Sequence, residues 1–170
     1  MMSIDLKSIA DRIAIRDVLD RYCRGIDRLD ADLVNSVYWD DATDNHGIYN
    51  GPGKDFAAFV IPMLRDSFTG TMHALNQSLI ELDGARAKAE TYVCAYHWRG
   101  DFGSESMEIV GGRYVDVLEE RQGEWRIRDR VVTIEWARAD NDIKPSAFPL
   151  DVFVPGQRDK TDIAYGRKQP

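Results

Sequence analysis

Three histidines, His46, His73 and His97, are the side chains of this chain best suited to move a proton near neutral pH, because imidazole titrates there unperturbed. A carboxylate that accepts an imidazole Nδ1–H fixes the tautomer and leaves Nε2 to take a proton from a substrate, a general-base contribution of roughly 10²–10⁴ in rate. On spacing alone, Asp27 reads as a solvated helix-end residue and His73 as a hydrogen-bonded strand residue. The phenols of Tyr22 and Tyr49 could hydrogen-bond a substrate carbonyl or leaving oxygen, or serve as core rings with the hydroxyl at the rim. Three imidazoles could also hold zinc with one position open for water. No two of them stand at the i, i+2 or i, i+4 spacing that commonly accompanies such sites, so no metal is expected.

Positioning these residues requires elements, and the apolar spacing supplies them. Leu6, Ile9, Ile13, Val18, Leu19, Tyr22 and Ile26 fall near helical period with charges between them, predicting a long amphipathic first helix. Tyr22 and Asp27 are five residues apart and so not on one helical stripe, though a loosened last turn could bring both toward one pocket. Asp30 is placed to cap a second helix running through Tyr38. A short strand is predicted over 40–49, carrying His46. After the breaker Gly51-Pro52-Gly53, the residues Phe56, Phe59, Val60, Met63, Leu64 and Phe68 predict a third helix, kinked or ended at Pro62.

Beyond Gly70 the punctuation becomes that of hairpins, with Asp83-Gly84 and Gln122-Gly123 between strand-like runs. Four long antiparallel strands are predicted near 71–82, 85–99, 107–119 and 124–137, with a loop around 100–106. Gly111-Gly112 inside the third predicts a bulge that bends the sheet. On the second, His97 shares parity with Ala85, Ala87, Ala89, Thr91, Val93 and Ala95, a small-residue face that could lie beneath the helices. Helices placed before a meandering, curved sheet define an α+β architecture with a cavity on the concave face. Arg113 and Arg130 could form ion pairs on the sheet face; Trp39, Trp98 and Trp125 read as core or subunit-contact residues. Residues 1–138 form the predicted domain, and 139–170, with Pro145, Phe148, Pro149, Leu150, Val152, Phe153 and Pro155, an arm over the pocket or onto a neighbouring subunit.

Composition narrows the partners. The 170 residues are 44% apolar and 30% charged with a net charge of −7, ordinary for a globular domain and unfavourable for nucleic-acid phosphates. No run approaches a signal peptide or a membrane span, so a cytoplasmic protein away from membranes is expected. The two cysteines, Cys23 and Cys94, read as small buried apolar residues rather than a disulfide.

The element order, together with Tyr22-x4-Asp27, Trp39-Asp40-Asp41-Ala42 and Met72-His73, resembles the SnoaL-like, scytalone-dehydratase-like group over roughly residues 5–137. That resemblance implies a cone-shaped, cystatin-like α+β barrel of the nuclear-transport-factor-2-like superfamily, three N-terminal helices closing a strongly curved antiparallel sheet. It implies no cofactor, and an Asp27–His73 dyad, with Tyr22 or His97 aiding departure of the leaving group. Tyr49 and His46 become candidate substrate contacts. Trp136 and Arg138 stand where such dehydratases close the pocket or hold a substrate anion, for which a guanidinium fork is suited; an exposed strand-end arginine is the alternative. The implied activity is a lyase, by dehydration or by retro-aldol or deformylating cleavage, on a small apolar, aromatic substrate. A cyclase or isomerase using the same dyad and a non-catalytic ligand-binding or oligomerisation module stay open, because this fold serves both. A homo-oligomer, dimer or trimer, is also implied.

Overall fold

The computed structural model describes residues 5–141, 143 and 152–166. Helix α1 (Leu6–Asp27) starts where the Asp5 carboxylate accepts the Ser8 N–H, and it buries Ile15, Val18, Leu19, Tyr22, Cys23 and Ile26 along one stripe. Helix α2 (Ala31–Ser36) is capped by Asp30 through the Leu33 N–H, as its spacing predicts, and ends before Tyr38. Helix α3 (Gly53–Ser67) runs through Pro62 without ending there. Proline cannot donate to the carbonyl four residues back; here that residue is Ala58, exposed like Pro62 itself, so water can take the freed acceptor.

The strands are β1 (Tyr38–Asn45), β2 (Asn50–Pro52), β3 (Gly70–Asp83), β4 (Arg86–Arg99), β5 (Ser106–Arg121) and β6 (Glu124–Asp140). They form one curved, unclosed sheet in the order β2-β1-β6-β5-β4-β3, and this α+β cone is the fold class predicted above. The pairing is antiparallel except that β1 lies parallel to β6, and the short strand predicted over 40–49 starts earlier and ends at Asn45, followed by a turn that leads into β2. A turn at Gln122-Gly123, both residues at positive φ, joins β5 to β6.

The bend in β5 has a steric cause. The register with β6 shifts between Gly111, opposite Trp136, and Gly112, opposite Ile134. A Cβ on Gly111 would lie 2.2 Å from the Trp136 ring, and one on Gly112 would lie 2.2 Å from the Thr133 carbonyl oxygen. Only glycine permits both approaches. On β4 the small-residue face, Ala87, Ala89, Thr91, Val93 and Ala95, is the buried one. Cys23 is buried as expected, whereas Cys94, on the opposite parity, is only half-buried. Of the tryptophans expected in the core or at a subunit contact, Trp125 is buried and Trp39 and Trp98 are half-buried.

Much of the arm expected over 139–170, including Pro145, Phe148, Pro149 and Leu150, lies outside the described residues. Its described part returns to the same chain. Arg158 donates to the Leu64 and Phe68 carbonyls at the end of α3, Tyr165 and Lys160 bind the Asp30 carboxylate, and Arg28 pairs with Asp162. Helix α4 (Ile163–Gly166) carries Tyr165.

Candidate active site

The concave face encloses a cavity of about 160 Å³ lined by aliphatic and aromatic side chains from α1, α3 and β3–β6. Its polar groups are Tyr22, His46, His73, His97 and Tyr114, so all three histidines of the chain converge on it. A wider groove of about 550 Å³ beside α1 is open and lined mostly by Asp17, Asp20, Arg21, Arg24 and Glu124, which makes it a solvated surface rather than an enclosed site.

Asp27 ends α1 and points at β3. Thr71 and His73, two residues apart on that strand and so on one face, both reach it. The Asp27 Oδ1 accepts from Thr71 Oγ1 at 3.0 Å and from His73 Nδ1 at 2.7 Å, while Oδ2 accepts the His73 backbone N–H at 2.9 Å. A carboxylate can only accept, so the His73 proton sits on Nδ1, and Nε2 is left for the cavity that the ring lines. The dyad implied by the family resemblance is thus within hydrogen-bond reach and faces an apolar space.

His97 crosses the His73 ring edge-to-face, centroids 5.6 Å apart, and packs on Phe68. Burial, reinforced by the neighbouring His73, pushes its pKa down to about 4, so His97 is uncharged at neutral pH. Any proton it donates then comes from a neutral imidazole N–H.

A second Asp–His pair stands elsewhere on the cavity wall. Asp44, fully buried near the end of β1, holds His46 Nδ1 through Oδ1 and accepts the Tyr38 hydroxyl at 2.5 Å through Oδ2. His46 Nε2 lies 3.0 Å from the Tyr22 hydroxyl, and its ring stacks on Phe56 at 4.2 Å. Burial lowers the His46 pKa despite Asp44, and burial raises that of Tyr22 well above the usual phenol range.

Beneath this pair, Arg130 is sandwiched between the rings of Tyr22 and Tyr114, 4.1 and 4.2 Å from their centroids. It forms a fork with Asp116 at 2.7 and 2.8 Å, both side chains wholly buried. Burial opposes the Arg130 charge, but Asp116 together with the neighbouring Tyr38 and Tyr22 raises its pKa and holds the guanidinium charged. Arg130 thus forms an ion pair on a sheet face, as expected from the sequence, with Asp116 directly opposite it on β5, whereas Asp44, Asp116 and Tyr114 were not singled out there. Arg113 also pairs on the sheet face, with Glu90 and Glu135.

Three predicted contacts lie elsewhere. The Tyr49 hydroxyl donates to the Pro52 carbonyl and its ring packs on Phe56 and Phe59, so it does not line the cavity. Trp136 is half exposed over Gly111. The shift at Gly111/Gly112 turns Trp136 and Arg138 onto the outer face, where Arg138 pairs with Asp140, and Val132 and Ile134 line the cavity instead. Among the described residues no group of three or more His, Cys, Asp or Glu is placed to hold a metal. No described helix is long and apolar enough to cross a membrane.

The family model described as a SnoaL-like domain matches residues 7–131. Among solved structures, a type 2 hexachlorocyclohexane dehydrochlorinase (LinA) aligns at TM-score 0.74 and 19% identity, covering 85% of this chain and 100% of that one. A protein titled a putative scytalone dehydratase, from Novosphingobium aromaticivorans, aligns at 0.68 and 19%, covering 81% and 96%. The Kfla4162 protein of Kribbella flavida aligns at 0.69 and 22%, covering 77% and 95%. No protein of curated function matches the chain in sequence.

Proposed function

The chain belongs to the SnoaL-like domain family, and on that premise we propose that it is a cofactor-independent lyase acting on a small apolar, aromatic substrate. One observation carries the reading: His73, its Nδ1 held by Asp27, lines an apolar cavity with Nε2 bonded to none of the described residues. A base so oriented takes a proton from an activated carbon, for elimination, or from a substrate hydroxyl, for retro-aldol cleavage. Departure of the leaving group is helped by hydrogen bonds from within the same cavity, where the neutral His97 is adjacent to His73. The dehydrochlorinase named above shares the fold and adds support for an elimination.

The test is turnover of a panel of arylpropanoid diols, hydroxyketones and polycyclic alcohols by the native chain, His73→Ala and Asp27→Ala. Loss of about 10²–10⁴ in rate is expected in both variants. Turnover unchanged by His73→Ala would remove the proposed base.

A further inference from the structure

The dyad leaves the second Asp–His pair without a role, and its hydrogen bonds have a definite direction. Asp44 accepts from Tyr38 at one oxygen and faces His46 Nδ1 with the other, so the His46 proton sits on Nδ1. His46 Nε2 is then a bare acceptor, and Tyr22, 3.0 Å away, must donate to it. The single proton of the Tyr22 phenol is thereby committed to the wall. What Tyr22 offers the cavity is the lone pairs of its oxygen.

We propose that Tyr22, held by His46 and Asp44, is a subsite that reads a hydroxyl group on the ring of an aromatic substrate and can accept its proton. The inference rests on the cavity being the active site. In the transfer, the substrate O–H breaks and its proton joins Tyr22 Oη. The original Tyr22 proton moves to His46 Nε2, leaving a substrate oxyanion, a neutral Tyr22 and an imidazolium facing Asp44. Atoms and charge balance without another reactant. His46 is the group that changes charge, and Asp44 and the Arg130 platform are positioning residues.

Size agrees with a single ring. A cavity of about 160 Å³ is close to the engineered apolar cavity of roughly 150 Å³ that holds benzene. Ile48 and Ile134, which line it yet are 71% and 60% exposed, mark a mouth through which the rest of a longer substrate extends. His73 and His97 form one polar group and Tyr22 with His46 another, within a lining otherwise mainly aliphatic and aromatic. The substrate class is therefore a ring bearing a hydroxyl at Tyr22 and its reactive carbon or side-chain hydroxyl at His73.

The experiment is calorimetric titration with phenol and with anisole, which differ by the donor. Phenol is expected to bind about tenfold tighter to the native chain, as a neutral hydrogen bond to the Tyr22 oxygen warrants. The preference should vanish in Tyr22→Phe, which deletes one oxygen and keeps the ring stacked on Arg130, and collapse in His46→Phe, where the Tyr22 proton is released to the cavity. It should persist in His73→Ala. Equal affinities in the native chain, no saturable binding of either ligand, or a preference that survives Tyr22→Phe would each overturn the subsite. A preference lost in His73→Ala but kept in Tyr22→Phe would also overturn it, while leaving the lyase reading intact. Turnover that survives His73→Ala would end the lyase reading without touching the phenol preference.

Discussion

The two Asp–His pairs of this cavity are made of the same residue types and have opposite chemical availability. Asp27 and His73 come from a helix end and a strand 46 positions apart in sequence, and the imidazole they produce has one nitrogen held and one that meets no partner among the described residues. Asp44 and His46 are neighbours at the end of β1, and both imidazole nitrogens are engaged, one by Asp44 and one by Tyr22. What separates a base from a relay is thus the occupant of Nε2, not the carboxylate. The supports differ as well. Asp27 is satisfied by a threonine hydroxyl and a backbone N–H, whereas the second pair stands over a desolvated Arg130–Asp116 fork clasped by two tyrosines.

That difference in support predicts the largest effect. Asp116→Ala leaves a wholly buried guanidinium without its partner and should cost about 3–5 kcal/mol in urea-induced unfolding. Asp27→Ala strands only hydrogen-bond donors beside a partly open site, and about 1–3 kcal/mol is expected. Equal losses in the two variants would erase the distinction between a charge-built and a hydrogen-bonded support.

A smaller effect probes the side of the cavity that His73 shares with His97. His97 titrates near 4 in the folded chain against an ordinary value of 6.5, so between these values the unfolded chain binds more protons. Stability is therefore intact above about pH 6.5 and falls with pH, the contribution of His97 reaching about 3 kcal/mol by pH 4. In His97→Leu this component is gone. The gap between native and variant unfolding free energies should shift by that amount from pH 7 to pH 4. A constant gap would mean that His97 is hydrated and titrates normally.

How far these relations were legible in the sequence depends on what fixes each one. Local patterns were enough for the α1 stripe, the Asp30 cap and the Gly111-Gly112 bulge, because period, cap chemistry and backbone freedom act within a few residues. The Asp27–His73 contact spans distant elements, and it was expected only through a family resemblance. A pocket role for Trp136 and Arg138 came only from the family resemblance, and the bulge that the sequence signalled turns both outward, leaving Arg138 the exposed strand-end arginine that the sequence also allowed. Asp44 did carry a signal, since two residues before His46 on a strand it must share a face, but it was one of 29 acidic residues. The Arg130–Asp116 fork depends on the β5–β6 register, which no single strand encodes.

The smallest predicted effect concerns Tyr49, which neighbours the second pair without belonging to it. Its hydroxyl donates to the Pro52 carbonyl over β2, and its backbone carbonyl accepts the His46 N–H across the β1–β2 turn. Tyr49→Phe removes the first bond and keeps the second, together with the ring contacts to Phe56 and Phe59. Because the lost bond is partly exposed, about 0.5–1 kcal/mol is expected, which for a chain of this size lowers Tm by roughly 1–4 °C. The kcat and KM of whichever substrate the panel identifies should not move, since the hydroxyl faces the turn and not the cavity. A raised KM with an unchanged Tm would return Tyr49 to the substrate's reach. It would also show that the turn carrying His46 rearranges when the cavity is filled, and the second pair would then be assembled by the substrate rather than waiting for it.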